Sequence, residues 1–231
     1  MSIDAILFDK DGTLFEFSAT WDTWSAGIIH TLADGAEDLA HRLAAAIDFD
    51  LVNQQFHPNS IAIAGTTSEI VTALLPHLPG RQPDELEAFL SDEAASAPLV
   101  EAAPLQGLLT GLRENGLKLG VMTNDSEASA LSQLDRAGVR DHFTFVAGCD
   151  SGFGAKPDPD PLLAFCNAAQ VEPARTVMVG DSLHDLHAGR AAGMQSIGVL
   201  TGTATRADLS PHADVVLNHI GEIPAWMTEN R

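Results

Sequence analysis

Two aspartates, Asp9 and Asp11, stand one residue apart in Asp9-Lys10-Asp11-Gly12-Thr13-Leu14. They follow Ile3-Asp4-Ala5-Ile6-Leu7-Phe8, which reads as a buried strand, so both carboxylates emerge together at its carboxyl end. Like charges this close raise one another's pKa unless a cation lies between them or one holds a proton. The pair therefore implies a metal site, an acid/base pair, or both. Gly12 permits a tight turn whose N–H groups could face an anion. A strand ending this way points to phosphoryl chemistry.

Three further polar clusters fall behind apolar runs. Thr123-Asn124 follows Leu117–Met122 and offers a hydroxyl and an amide to phosphoryl oxygens. Lys156 stands in Gly154-Ala155-Lys156-Pro157, after Phe143–Val146, and Asp181 and Asp185 follow Thr176–Gly180. Their i,i+4 spacing puts Asp181 and Asp185 on one face at a helix start. His184 and His187 flank Asp185, but with no cysteine or third histidine nearby in sequence a hard, oxygen-lined site suits Mg²⁺ better than zinc. Lys10 lies between the two leading aspartates, and alternation along an extended segment is expected to point it away from them.

The elements that must position these groups follow from periodicity. Helices are expected at 21–32, 36–47, 67–75 and 84–95, the last started by Pro83-Asp84, with no convincing strand between residues 18 and 97. From Pro104 helices alternate with strands: helices at 105–115, 127–137, 161–169 and 183–192, and strands at 117–122, 143–146, 176–179, 196–200 and 213–217. Such alternation predicts an α/β fold, a parallel sheet covered by helices on both faces, interrupted by an all-helical insert. Gly116, Gly138 and Gly193 each follow a helix and precede a strand, where a left-handed helix cap is expected. Trp21 and Trp24, three apart, are expected to pack in a core or against the insert's neighbour. Phe56–Ser60 and Gly65–Thr67 are where the insert could supply specificity groups.

Composition narrows the partners. The 32 acidic residues against 12 basic ones give a formal charge of −20, which argues against nucleic acid and anionic membrane surfaces. An acidic protein that binds an anion must concentrate its few cations at the site, and the lysines are Lys10, Lys118 and Lys156. No apolar run approaches a membrane span and no basic leader precedes one, so a cytoplasmic location is expected. Cys149 and Cys166 form no Cys-x-x-Cys pair and read as buried, reduced thiols.

The ordered set Asp9-x-Asp11-Gly12-Thr13, Thr123-Asn124, Lys156-Pro157 and Gly180-Asp181-x-x-x-Asp185 resembles the four motifs of the haloacid dehalogenase-like superfamily. The similarity is to its phosphatase branch with a helical cap, phosphoglycolate phosphatase-like members in particular. It implies a Rossmann-like doubly wound core from residues 1–15 and 98–231, with a cap at 16–97. It further implies that Asp9 is the nucleophile that forms an aspartyl-phosphate, and that Asp11 is the acid that protonates the leaving alcohol and then activates water. Mg²⁺ would be held by Asp9, the Asp11 backbone carbonyl and Asp181, with Asp185 fixing a ligand or a bound water. Lys156 would bridge Asp9 and a phosphoryl oxygen, with Thr123 and the N–H groups near Gly12 completing the phosphate cradle and Asn124 positioning it from behind.

The resemblance implies that carbon–halogen-cleaving relatives lack an acid at the Asp11 position. Phosphonate-cleaving relatives need a cap lysine, whereas residues 16–97 contain only Arg42 and Arg81 as cations. The expected activity is hydrolysis of a small phosphorylated metabolite, phosphoglycolate by default. A β-phosphoglucomutase-like phosphotransferase is the nearest rival. A non-catalytic phospho-signalling module is the alternative from another class, disfavoured by the early position of Asp9 and by the insert.

Overall fold

The computed structural model describes residues 3–229. In chain order its elements begin with β1 (Ala5–Phe8), α1 (Phe17–Ala33), α2 (Glu37–Ala46), β2 (Phe49–Asp50), β3 (Gln55–Phe56), α3 (Ile61–Ala64), α4 (Thr67–Leu74) and α5 (Pro83–Ser96). They continue with α6 (Leu105–Glu114), β4 (Lys118–Met122), α7 (Glu127–Arg136), β5 (Phe145–Ala147), α8 (Asp160–Ala169), β6 (Thr176–Gly180) and α9 (Leu183–Ala191). The chain closes through β7 (Gln195–Val199), α10 (Arg206–Leu209), β8 (Val215–Leu217) and α11 (Ile223–Glu229).

Six strands form one parallel sheet in the order β5-β4-β1-β6-β7-β8. Alternation along each strand divides its side chains between two layers. Ile6, Phe8, Leu119, Val121, Val177 and Val179 join Leu105 and Leu109 of α6 in one buried cluster. Ala5, Leu7, Met122 and Met178 join Leu162 and Phe165 of α8 in another on the opposite face. Both faces are covered, as expected of a doubly wound sheet built from continuous apolar strands. Gly116, Gly138 and Gly193 adopt φ of 84°, 69° and 77°, the left-handed caps anticipated for these helix ends.

Between β1 and α6, helices α1, α2, α4 and α5 bury a third cluster of their own, including Ile29, Leu43, Phe49, Leu74, Leu86 and Leu90. One feature departs from the sequence expectation of an all-helical insert. Phe49–Asp50 and Gln55–Phe56 pair antiparallel as a two-stranded hairpin. Two residues per strand are too few to leave a readable alternation, and the pairing is fixed by the edge-to-face contact of Phe49 and Phe56, whose ring centroids are 4.8 Å apart.

The sheet places the site through register. Phe8 lies opposite Val121 on β4 and Val179 on β6. The residues that follow these strands therefore emerge at one level, beside the central strand where the chain switches from one half of the sheet to the other. Asp9 is still anchored there by its N–H, which donates to Val179 O at 2.8 Å.

Close packing of helix on sheet beneath that edge depends on Gly120, where an added Cβ would stand 2.6 Å from the Phe165 ring and 3.1 Å from Leu7. Gly120→Ala is expected to destabilise the protein by about 1–3 kcal/mol through overpacking, read as a lower urea midpoint at unchanged slope.

Candidate active site

At the carboxyl edge of the sheet Asp9, Asp181 and Asp185 are all buried, and each offers a carboxylate oxygen within 4.8 Å of the others. Lys156, also buried, stands among them: its Nζ is 2.6 Å from Asp9 Oδ1 and 2.7 Å from Asp185 Oδ1. Asp185 reaches this position from the first turn of α9, where its Oδ2 accepts from the Ser182 N–H and hydroxyl at 3.0 and 2.7 Å. That reciprocal cap at the helix start aims the other carboxylate oxygen inward.

The electrostatics follow from this crowding. Burial pushes the Asp9 carboxyl up from 3.8 to about 7; Lys156 opposes that shift, and the charges of Asp185 and Asp11 add to it. Burial, then Asp9 and Asp185, also raise Asp181 well above the usual carboxylate range. Lys156 is held firmly protonated, because the charges of Asp185 and Asp9 outweigh the cost of its burial. One lysine against three carboxylates leaves a net negative pocket of hard oxygen donors, which is the donor set of a divalent cation.

Glycines shape the cradle around these oxygens. A Cβ at Gly12 or at Gly202 would overlap the Asp181 carboxylate, and one at Gly180 would overlap Asp185. Gly12 is thus needed for space as well as for its φ of 75°. Its own N–H donates to Phe15 O at 2.7 Å, while Gly12 O accepts from the Thr201 hydroxyl at 2.6 Å.

The Asp11 side chain has a different environment. Its carboxylate lies outside the group formed by Asp9, Asp181 and Asp185. It pairs instead with Lys10, at 2.6 Å, and its Oδ1 is a buried acceptor without a hydrogen-bond partner. Burial raises its pKa although the Lys10 charge pulls the other way. Asp11 is therefore suited to carrying a proton beside the metal-type cluster rather than to supplying a carboxylate to it.

Lys10 itself does not point away from both neighbours. The chain leaves the extended conformation after Asp9, so strand alternation stops governing the side chains. The fully buried Lys10 sits 2.6 Å from Asp11 and 3.2 Å from Asp125, donates to Gln133 Oε1 at 2.6 Å, and lies 5.4 Å from the Trp21 ring centroid. Gln133 continues the chain of contacts to Ala94 O of α5 at 2.8 Å. Lys10, Asp125 and Gln133 were not anticipated as site residues. The available signal was a lysine set between two aspartates just beyond a strand, in a chain with three lysines in total.

Thr123 and Asn124 do come to the cavity, with different roles. Thr123 is buried and its Oγ1 accepts from the Asp125 N–H at 3.1 Å, which leaves its own proton to donate. Asn124 is fully engaged: it accepts from the Lys156 N–H at 2.9 Å and donates to Lys156 O and to Ala64 O, both at 2.8 Å. It holds the Lys156 backbone from behind, and its side chain has no donor left for a phosphate.

Lys118 lies elsewhere, its Nζ donating to Ala169 O. His187 pairs with His212 at 3.2 Å on the surface, whereas His184 lines the cavity. Cys166 is buried, Cys149 is half-buried, and both are free thiols.

Above this floor, α1 and the α3–α4 region close a cavity of about 110 Å³. Trp21 and Trp24 line it while also packing edge to face on each other, with ring centroids 4.9 Å apart. Phe56, Gly65 and Thr67, from the stretches singled out in the sequence, line it as well.

Comparison with known proteins agrees with this arrangement. A family model described as haloacid dehalogenase-like hydrolase matches residues 3–193. N-acetylmuramic acid 6-phosphate phosphatase of Pseudomonas aeruginosa is 28% identical over 228 residues, covering 96% of this chain and 94% of that protein. Phosphoglycolate phosphatase of Rhodospirillum rubrum is 28% identical over 234 residues, covering 96% and 90%. The crystal structure of CbbY from Rhodobacter sphaeroides in complex with phosphate matches at a TM-score of 0.73 and 23% identity, over 96% of each chain.

Two outcomes test the electrostatic account. Between pH 3.8 and about 7 the folded chain keeps a proton on Asp9 that the unfolded chain has released, so this group's contribution makes stability fall as pH rises through that window. A divalent cation should therefore raise Tm more at pH 8 than at pH 5, measured by thermal unfolding with and without chelator. Lys10→Met should cost about 3 kcal/mol or more in urea unfolding, because Asp11 and Asp125 are left facing each other. Adding Asp125→Asn should recover part of that loss.

Proposed function

The chain belongs to the haloacid dehalogenase-like hydrolase family, and on that footing we propose that it is a Mg²⁺-dependent phosphomonoesterase acting on a small phosphorylated metabolite. The observation that carries the reading is Lys156 Nζ, 2.6 Å from Asp9 Oδ1 and surrounded by the buried carboxylates of Asp181 and Asp185. A carboxylate can attack a phosphate dianion only where the negative charge of the transferring group is neutralised in advance. Bound between Asp9, Asp181 and Asp185, Mg²⁺ would supply that neutralisation as a Lewis acid.

This chain's own residues do the rest. Asp9 attacks phosphorus in line and becomes an aspartyl-phosphate as the P–O bond to the leaving group breaks. Asp11, whose carboxyl is biased toward the protonated form, donates its proton to the departing alkoxide. It then takes a proton from the water that attacks phosphorus, releasing inorganic phosphate and restoring Asp9. Lys156 holds the Asp9 oxygen and one phosphoryl oxygen in place, and Thr123 donates its hydroxyl proton to another.

Residues 16–97 are proposed as the cap over a core made of residues 1–15 and 98–231. Their separate apolar cluster and their contribution to the cavity wall support that division. The full-length likeness to two phosphatases, one named for phosphoglycolate and one for a sugar-acid phosphate, supports small organic phosphates as the substrate range.

Asp9→Asn should lower phosphate release by at least about 10³-fold with an unchanged circular dichroism spectrum, and EDTA should abolish turnover reversibly. Lys156→Ala should lower kcat by about 10²-fold while Lys118→Ala leaves it near wild type. Activity of Asp9→Asn within tenfold of wild type would remove it from the nucleophile role. Full turnover in EDTA would remove the metal.

A further inference from the structure

The cavity wall is sharply divided by charge. Among the described residues, every titratable group that reaches it sits on the floor: Asp9, Asp11, Asp125, Lys156, Asp181, His184 and Asp185. None of the residues contributed by the helical segment 17–96 carries a charge. They are large and apolar, Phe17, Trp21, Trp24, Ile28, Ile63 and Ile70 prominent among them, with the hydroxyls of Ser25 and Thr67 as the polar exceptions. The cations of this segment, Arg42 and Arg81, are not part of the wall, and Arg81 lies 5.6 Å from the Phe89 ring. Trp24 is pinned by its indole N–H, which donates to Glu93 O at 3.1 Å, so the aromatic surface is held in place.

This division sets what can occupy the space above a bound phosphate. Lys156 is already committed to two carboxylates and lies beside the phosphoryl position. A second anionic group on the leaving alcohol would enter an apolar roof with no cation to meet it, next to a floor with an excess of carboxylates. An uncharged body with an apolar or aromatic face would bury against Trp21, Ile63 and Ile70, and its burial would favour the bound state.

Taking the phosphatase reading above as its basis, we propose that this chain selects phosphate monoesters whose leaving alcohol is uncharged and presents an apolar or aromatic face, and discriminates against esters carrying a carboxylate there. Trp21, Ile63 and Ile70 are the residues assigned to that selection. The proposal narrows the substrate range away from both phosphoglycolate and N-acetylmuramic acid 6-phosphate, for which the two relatives are named, since each leaving alcohol carries a carboxylate.

The test compares benzyl phosphate with its para-carboxylate, two esters of closely matched leaving-group reactivity that differ in charge. Phosphate release with Mg²⁺ gives kcat/KM, and calorimetry of the corresponding benzylphosphonates gives binding without turnover. Benzyl phosphate is expected to be preferred by about tenfold or more in kcat/KM, with the phosphonates ranked the same way, because the carboxylate loses its hydration without gaining a partner. Ile63→Arg, which adds a cation to the roof at a half-buried position, should narrow or reverse the preference.

Equal or better hydrolysis of the para-carboxylate by the wild-type protein overturns the selectivity. Where neither ester releases phosphate but the uncharged phosphonate binds more tightly, the phosphatase reading fails and the selectivity of the cavity stands. Equal binding of the two phosphonates overturns the selectivity whether or not the esters turn over.

Discussion

The structure is organised around one electrostatic conflict, the gathering of several carboxylates where the sheet ends and water is scarce. Left alone they would repel one another and take up protons. The chain meets the conflict with two buried lysines, each held between two acids. Lys156 joins Asp9 to Asp185, and Lys10 joins Asp11 to Asp125. In a chain of formal charge −20 this commits two of three lysines to one edge of one sheet. The two clusters are then electrically distinct. One keeps surplus negative charge that a divalent cation can satisfy, and the other keeps Asp11 near a proton without drawing it into the metal-type group.

Much of this was legible in the sequence, and for a physical reason. The strands of a two-faced parallel sheet are short, continuous apolar runs, so β1, β4 and β6 and the polar residues just beyond them can be read directly. The placement of Asp9, Lys156, Asp181 and Asp185 at one edge follows from strand order and register, and the order of motifs along the chain pointed to it. Lys10 was harder. The rule that sends alternate side chains to opposite faces holds only while the backbone stays extended, and the turn that Gly12 permits begins just beyond it. Asn124 illustrates a second limit: its residue type offers an amide, but only the fold shows that this side chain is used by the backbone of Lys156 and by Ala64, a partner 60 residues away. The cavity roof was the least legible part, since its wall draws on α1, β3, α3, α4 and α5, and no local pattern records which of their apolar side chains meet.

The same contacts tie the helical segment to the chemistry below. Ala64 reaches Lys156 through Asn124, and Ala94 reaches Lys10 through Gln133. Each of the two buried lysines therefore has its position linked, through one amide side chain, to a backbone carbonyl of the segment that covers the cavity. Any movement of that segment away from the sheet would break both amide contacts, so the position of the segment and the placement of the two cations are parts of one arrangement.

The glycines packed against the acids bear on how such a site can change over time. Gly12 and Gly202 leave no room for a side chain beside Asp181, and Gly180 leaves none beside Asp185. An alanine at Gly12 is strained by its φ of 75° as well as by Asp181, one at Gly180 or Gly202 also meets the Cβ of the neighbouring acid at 2.2 or 2.7 Å, and replacing the acid first removes the charge the site needs. Single-step paths through these positions are therefore closed in both directions, and the fitness effect of a substitution at one depends on the identity of the other. Variation in a lineage carrying this site would be channelled to the roof, where residues such as Ile63 and Ile70 can be exchanged without disturbing a carboxylate.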